Sequence, residues 1–186
     1  MPRTARLTRD DWAAAALDAL AEGGPATVAV EPVAARLGAS KSSFYWLFEN
    51  REALLVAALE RWERVQTDEV LPTLAAVADP AERLRLLIRH AFTSTRGGAL
   101  ALVLLTESDD PTVRAVAERV THRRLITIEA ALTELGHTPE RARHLAAASY
   151  AVYLGTAALR MVDAAPRDAG PYVDTVMALL SNSTPH

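Results

Sequence analysis

Proline and glycine, alone or beside a capping residue, cut this chain into segments, and within the segments apolar residues return every three or four positions. The breaks fall at Gly23-Gly24-Pro25, Pro72, Asp79-Pro80, Gly97-Gly98, Asp110-Pro111, Gly136 and Thr138-Pro139. A period near 3.6 between such punctuation is the pattern of helices that each bury one face. Thr8 with Asp11 forms a capping box for a first helix ending at Glu22, and Pro32 fits the first turn of a second, Glu31 to Leu37. A third spans Ser40–Phe48, and Asn50 caps a fourth from Arg51 to Val70, ended by Pro72. Asp79-Pro80 opens a fifth that Gly97-Gly98 breaks. Ala99–Thr106 could be argued as a strand, but with no partner strand in the sequence a buried helix fits better. Asp110 to Leu135 is a seventh helix, with Val113, Val116, Val120 and Ile128 inward and Arg119, Arg123 and Arg124 mostly outward. Thr138 to Val162 and Tyr172 to Leu180 complete an all-α chain of about nine helices, with polar segments at Met1–Leu7 and Ser181–His186.

At 186 residues, half of them hydrophobic and only 5% aromatic, the chain can bury a substantial core of closely packed helices. It has no cysteine, which excludes disulfides and thiolate metal sites. No apolar run reaches the length of a membrane span and no secretory pattern opens the chain, so the expected location is cytoplasmic with no membrane partner. The net charge of −3 argues against a protein that coats nucleic acid along its whole surface.

One local pattern asks for a different explanation than packing. Ala34 lets a second helix cross closely, Gly38 can take the left-handed conformation of a sharp turn, and Phe44 returns to the space between the two helices. Ser40 caps the second helix, whose first turn holds Lys41, Ser42 and Ser43, suited to phosphates and base edges. Lys41 is the sole lysine of the chain. Tyr45 and Trp46 are consecutive, and on one helix both cannot point inward when Phe44 and Phe48 already do. A plain helical corner would explain Ala34 and Gly38 but leaves the two outward rings unaccounted for. Arg3 and Arg6 could lie along a phosphate backbone, or belong to a simple tail.

On Val33-Ala34, Gly38-Ala39-Ser40, Tyr45, Phe48, Arg51 and Leu54 the chain resembles the tetracycline-repressor-like (TetR) family of one-component regulators. The resemblance is specific over about the first 55 residues and agrees in length and helix order beyond them. It departs at Ala29, where the family often has a capping Thr or Ser, and at Glu31, where a basic or polar residue is common. It implies a helix-turn-helix DNA-binding domain over residues 1–50 and a helical ligand-binding and dimerisation domain over 51–186. It also implies that Tyr45 contacts a phosphate, that Lys41, Ser42 and Ser43 face the major groove with Ser40 at their head, that Trp46 packs on the DNA backbone, and that Arg51 holds a second phosphate. The function implied is a transcriptional regulator, a repressor binding a palindromic operator on double-stranded DNA as a homodimer and released by a small, largely apolar effector.

The second part could be scaffold or chamber. Trp62, His90, Phe92, Arg96, Glu107, Tyr150 and Tyr153, with His122 and Met161, are the polar or large residues on otherwise aliphatic faces. As a set they fit a mostly apolar cavity holding a few polar groups, and singly each could be an ordinary core or surface residue. Ala147, Ala151 and Gly155 leave a bulk-free stripe on the eighth helix, and Tyr172, Val176 and Leu180 recur on the ninth. Two copies could bury both stripes as a four-helix bundle, or the small residues could pack only on the chain's own core. No nucleophile turn, metal-binding His-Glu pattern, phosphate loop or carboxylate pair points to catalysis, and no cofactor or metal is expected. A helical adaptor that uses the N-terminal unit to bind protein is the remaining alternative.

Overall fold

The computed structural model describes residues 6–106 and 109–181, and every described regular element is helical. Helix α1 is Arg9–Gly23, α2 Val30–Arg36, α3 Lys41–Tyr45, α4 Arg51–Glu63, α5 Val70–Ala75, α6 Pro80–Thr93, α7 Thr95–Thr106, α8 Pro111–Glu134, α9 Pro139–Arg160 and α10 Ala169–Ser181. A π turn over Arg64–Asp68 joins α4 to α5 without leaving helical backbone angles, so the two form one continuous element. Taken that way, the described residues hold nine helices, as the sequence pattern leads one to expect, plus a 3-10 turn at Pro25–Thr27.

The caps fall where the sequence places them. Thr8 and Asp11 exchange hydrogen bonds in a capping box, Ser40 accepts from the Ser43 N–H, Asn50 from Ala53, Asp79 from Ala81, and Asp110 from Thr112 and Val113. Each satisfies donors that the first helical turn leaves without a backbone partner. Ala29 caps α2 with no side-chain bond, in keeping with its methyl group.

Three boundaries differ from the sequence reading. Pro72 does not end the helical element but stands three residues into α5, just after the π turn has shifted the backbone hydrogen-bond ladder. Gly97 and Gly98 do not break one either. The chain turns at Ser94, and both glycines are buried inside α7. A Cβ on Gly98 would stand 3.1 Å from the Ala157 Cβ, and one on Gly97 would meet Gln66 and Ser94, so these positions carry no side chain because α7 crosses α9 and the π turn closely. The third is α3, only Lys41–Tyr45, with Leu47 and Phe48 closing as turns on the Phe44 carbonyl.

Two groups of buried residues make the core. The larger begins at Trp12, passes through Phe44, Phe48 and the α4 leucines, and continues to Leu104 on α7 and Val120 on α8. The smaller joins Leu84 of α6, Leu132 of α8, Leu145 of α9 and Val173 to Leu180 of α10. The N-terminal helices are thus packed on the same apolar mass as α7 and α8. Between α4 and α8, Glu63 is nearly buried and accepts from Arg119 Nε at 2.9 Å and from Arg123 at 3.3 Å, while Arg123 also reaches Asp68 at 2.6 Å.

The hydrogen bond from Arg119 holds the Glu63 carboxyl below its usual range, against the opposing effect of burial. A carboxylate whose pKa is depressed on folding contributes stability that is present above the unfolded value, near pH 4.3, and lost as pH falls through the folded value. We expect Glu63→Gln to lower stability at pH 7 and to flatten the decline below about pH 4.3. Urea unfolding across pH 3 to 7 checks this, and an unchanged acid slope would rule it out.

Candidate DNA-reading surface and ligand chamber

The turn between α2 and α3 is built on Gly38, whose φ of +60° lies in the left-handed region, and is closed by Ala39 N–H on the Ala34 carbonyl at 2.9 Å. Behind it the Phe44 ring lies 5.4 Å from both Trp12 and Phe48, and all three are buried. Arg9 secures the end of this unit, donating to the Leu47 carbonyl at 2.8 Å with its guanidinium 4.4 Å from the Phe48 ring centre. Nothing in the periodicity of the sequence singles out Arg9, because its partners lie 38 residues away.

On the outer side Tyr45 is 64% and Trp46 80% exposed, beside exposed Ser40, Lys41 and Ser42. Two large aromatic side chains left in water at the end of a five-residue helix are a surface awaiting a partner. Ser43 is half-buried, its hydroxyl donating to the Ser40 carbonyl at 2.6 Å, while Ser40 and Ser42 share a bond of 2.8 Å. Lys41 is paired with Glu31 of α2, which raises the lysine pKa and lowers that of the glutamate. Arg51 donates from Nε to the Val28 carbonyl at 2.6 Å and from Nη2 to the Pro25 carbonyl, tying the start of α4 to the α1–α2 connection. Its guanidinium stays exposed at that helix N-terminus. Arg6 is exposed, and Arg3 lies outside the described residues.

The chamber lies between α6, α8, α9 and the α4–α5 junction and is a narrow cavity of about 70 Å³. Leu84, Leu87, Ile88, Ile128, Val70 and Leu71 supply the aliphatic wall. Of the candidate ligand contacts, His90, Tyr150 and Tyr153 are brought together there. Phe92 lines a smaller neighbouring cleft with Tyr172, and Trp62 lies behind the chamber, facing a separate cleft between α1, α4 and α7. Arg96 is on the surface, paired with Asp18 at 2.9 Å, and His122 and Met161 are exposed. Glu107 lies outside the described residues.

Sequence reasoning overlooked Arg124. Expected to face outward, it is half-buried and lines the chamber, with its guanidinium 5.3 Å from the Trp62 ring centre and 5.8 Å from that of Tyr153. Its hydrogen bonds go to neutral acceptors, the Gln66 carbonyl at 3.1 Å and the Thr67 hydroxyl at 3.2 Å. Burial, and secondarily the Arg124 charge, lowers the His90 pKa, so its imidazole is neutral at pH 7. Burial raises that of Tyr153.

The structure also sorts the two candidate interface stripes. Ala147, Ala151 and Gly155 of α9 face outward, with nothing within 4 Å of a Cβ built on Gly155. Val176 and Leu180 of α10 do not. Both are buried inside the chain against α6, and Tyr172 is half-buried with its ring 4.9 Å from Phe92. A four-residue apolar repeat marks whichever face is covered, and here the chain's own core covers it. The outward face of α10 carries Leu179, 65% exposed, with Thr175 and Ala178.

A capped reading helix edged with exposed aromatics at one end of a helical chain, and a mostly apolar chamber at the other, define the class of helix-turn-helix proteins with an attached helical chamber. Residues 13–58 match the family model for bacterial regulatory proteins of the tetR family. Two uncharacterised HTH-type transcriptional regulators of Mycobacterium tuberculosis strains are each 28% identical over 109 residues, 59% of this chain and 54% of theirs, so the chain spans about half the length of these relatives. The fold matches that of a TetR transcriptional regulator from Legionella pneumophila, with a TM-score of 0.78 at 16% identity over 95% of this chain and 97% of that one. It also matches the regulator FadR from Bacillus subtilis in complex with stearoyl-CoA, with a TM-score of 0.70 at 20% identity over 92% and 97%. Among the described residues no helix is long and apolar enough to cross a membrane, and no three His, Cys, Asp or Glu side chains are grouped to hold a metal.

Proposed function

We propose that this chain is a cytoplasmic DNA-binding transcriptional regulator, not an enzyme, which binds a palindromic operator as a homodimer and is released by a small, largely apolar ligand. The observation that carries the reading is the exposure of Tyr45 and Trp46, 64% and 80%, beside the Ser40-capped turn of Lys41 and Ser42. Residues 1–50 are taken as the reading unit and 51–186 as the part that binds ligand and pairs the copies. Lys41, Ser42 and Ser43 then face the major groove, Tyr45 and Trp46 lie against the backbone, and Arg51 adds a phosphate contact from the N–H groups its carbonyl partners leave free.

The α4–π–α5 element is the proposed lever. It starts at Arg51, beside the reading unit, and places Val70 and Leu71 of α5 in the chamber wall. A ligand that favours one position of this rod changes the spacing of the two reading helices, and linkage requires operator DNA to weaken ligand binding by the same factor. Helical ligand-bound relatives such as the stearoyl-CoA complex support a chamber used in this way.

Selection of bound fragments from random DNA tests the reading, since an enriched palindrome is the expected product and no enrichment would overturn it. On the selected site Lys41→Ala should cost about tenfold or more and relax preference at one position, whereas Tyr45→Phe should weaken binding to every sequence alike. Glu31→Gln should act in the opposite sense, because Lys41 must leave that carboxylate to meet a base. Tighter binding by this variant in a filter or anisotropy assay is expected, and unchanged affinity in all three variants would remove the assignment of these residues.

A further inference from the structure

We propose that the effector is an amphipathic anion, a carboxylate or comparable acid on an apolar body, with Arg124 as its counter-charge. This deepens the reading of the chamber given above and rests on it. The reason lies in how three arginines of α8 are shared out. Arg119 and Arg123 turn toward α4 and use the available carboxylates, Glu63 and Asp68. Arg124, one residue and about 100° further round the helix, turns into the chamber, where no described residue offers it a carboxylate.

A guanidinium is always charged, and a half-buried one is normally matched by an acid. Here the ion is held by two neutral oxygens and by the faces of Trp62 and Tyr153, contacts that fix its direction without cancelling its charge. The Arg124 charge repels a second charge of the same sign, and a wall that is half aliphatic, with Gln66, Ser94, Ser149 and the two tyrosines among its polar groups, favours a ligand with a hydrocarbon body. A ligand that adds one negative group at Arg124 and covers Leu84, Leu87 and Ile128 with hydrocarbon satisfies both requirements together. His90 supports this. Its Nε2 is buried with no hydrogen-bond partner, and its lowered pKa keeps the ring neutral, so it can donate to an acid oxygen without adding a second desolvated charge.

The test compares three probes of equal chain length, octanoate, octan-1-ol and octyltrimethylammonium, by calorimetric titration of the full chain at pH 7. Octanoate is expected to bind at least about tenfold more tightly than octanol, and the cation more weakly than either. Arg124→Gln should reduce octanoate to the affinity of octanol while leaving octanol unchanged, and Arg124→Lys, which restores the charge without the fork, should recover part of the preference. The ratio of the two affinities is the readout, because a variant that only loosened the fold would weaken both probes together. Equal binding of octanoate and octanol, or a preference that survives Arg124→Gln, overturns the anionic assignment and leaves the chamber standing. No binding of any of the three at millimolar concentration overturns the chamber itself.

Discussion

Gly155→Trp is expected to convert the proposed homodimer into a folded monomer and to reduce operator affinity by about 100-fold or more, because the two proposed reading helices then bind without the gain of being linked. Gly155 lies on the outward stripe of α9 with Ala147 and Ala151, and no other helix comes within 4 Å of an added Cβ. A tryptophan there projects from an exposed face of α9 in the isolated chain, and in a helix interior it replaces the residue of lowest propensity after proline. The substitution therefore leaves the monomer intact and acts only where a second copy approaches. The exposed apolar residues at the same end, Leu159 (44%), Val162 (72%) and Leu179 (65%), add surface for that approach. Light scattering at micromolar concentration decides the matter, with fragment binding measured alongside. A wild-type chain that runs as a monomer, or a folded Gly155→Trp chain that still pairs, would remove this interface.

Phe44→Ala has the largest expected effect on folding, a loss of about 3–5 kcal/mol, as for other fully buried phenylalanines. Its ring fills the space between Trp12 and Phe48, and a methyl group there leaves a cavity the short α3 cannot collapse into without moving Tyr45 and Trp46. A loss of that size is a large part of ordinary domain stability. Trp46→Ala is the matched control. At 80% exposure it should change stability by no more than about 0.5 kcal/mol while still lowering DNA affinity. Chemical denaturation followed by far-ultraviolet circular dichroism separates the two. Because the larger core runs unbroken from Trp12 to Val120, Phe44→Ala should shift one cooperative transition rather than melt the first helices alone. A separate early transition for the N-terminal helices would contradict that continuity.

Local chemistry made much of this molecule legible. Caps at Thr8, Ser40, Asn50, Asp79 and Asp110 are read from residue type and spacing alone, since each satisfies N–H groups within three positions. The outward edge at Tyr45 and Trp46 is legible for a similar reason, because two consecutive rings between Phe44 and Phe48 cannot all turn inward. Where sequence reasoning went astray, the deciding partner was distant. Gly97-Gly98 has the composition of a helix break and is instead a crossing point, set by Ala157 and Gln66 from other helices.

The sequence by itself determined the all-helical class, the positions of most helix starts, the sharp turn at Gly38 and the outward aromatic edge, all consequences of forces acting within a few residues. Only the tertiary structure decided which of the periodic faces meet. It sent Val176 and Leu180 inward and Leu179 outward, paired Glu63 with Arg119 and Arg123, and left Arg124 in an apolar chamber without a carboxylate. A four-residue repeat fixes the direction a side chain takes from its helix axis, but the rotation of that helix against its neighbours is settled by packing, and charge partners are settled with it.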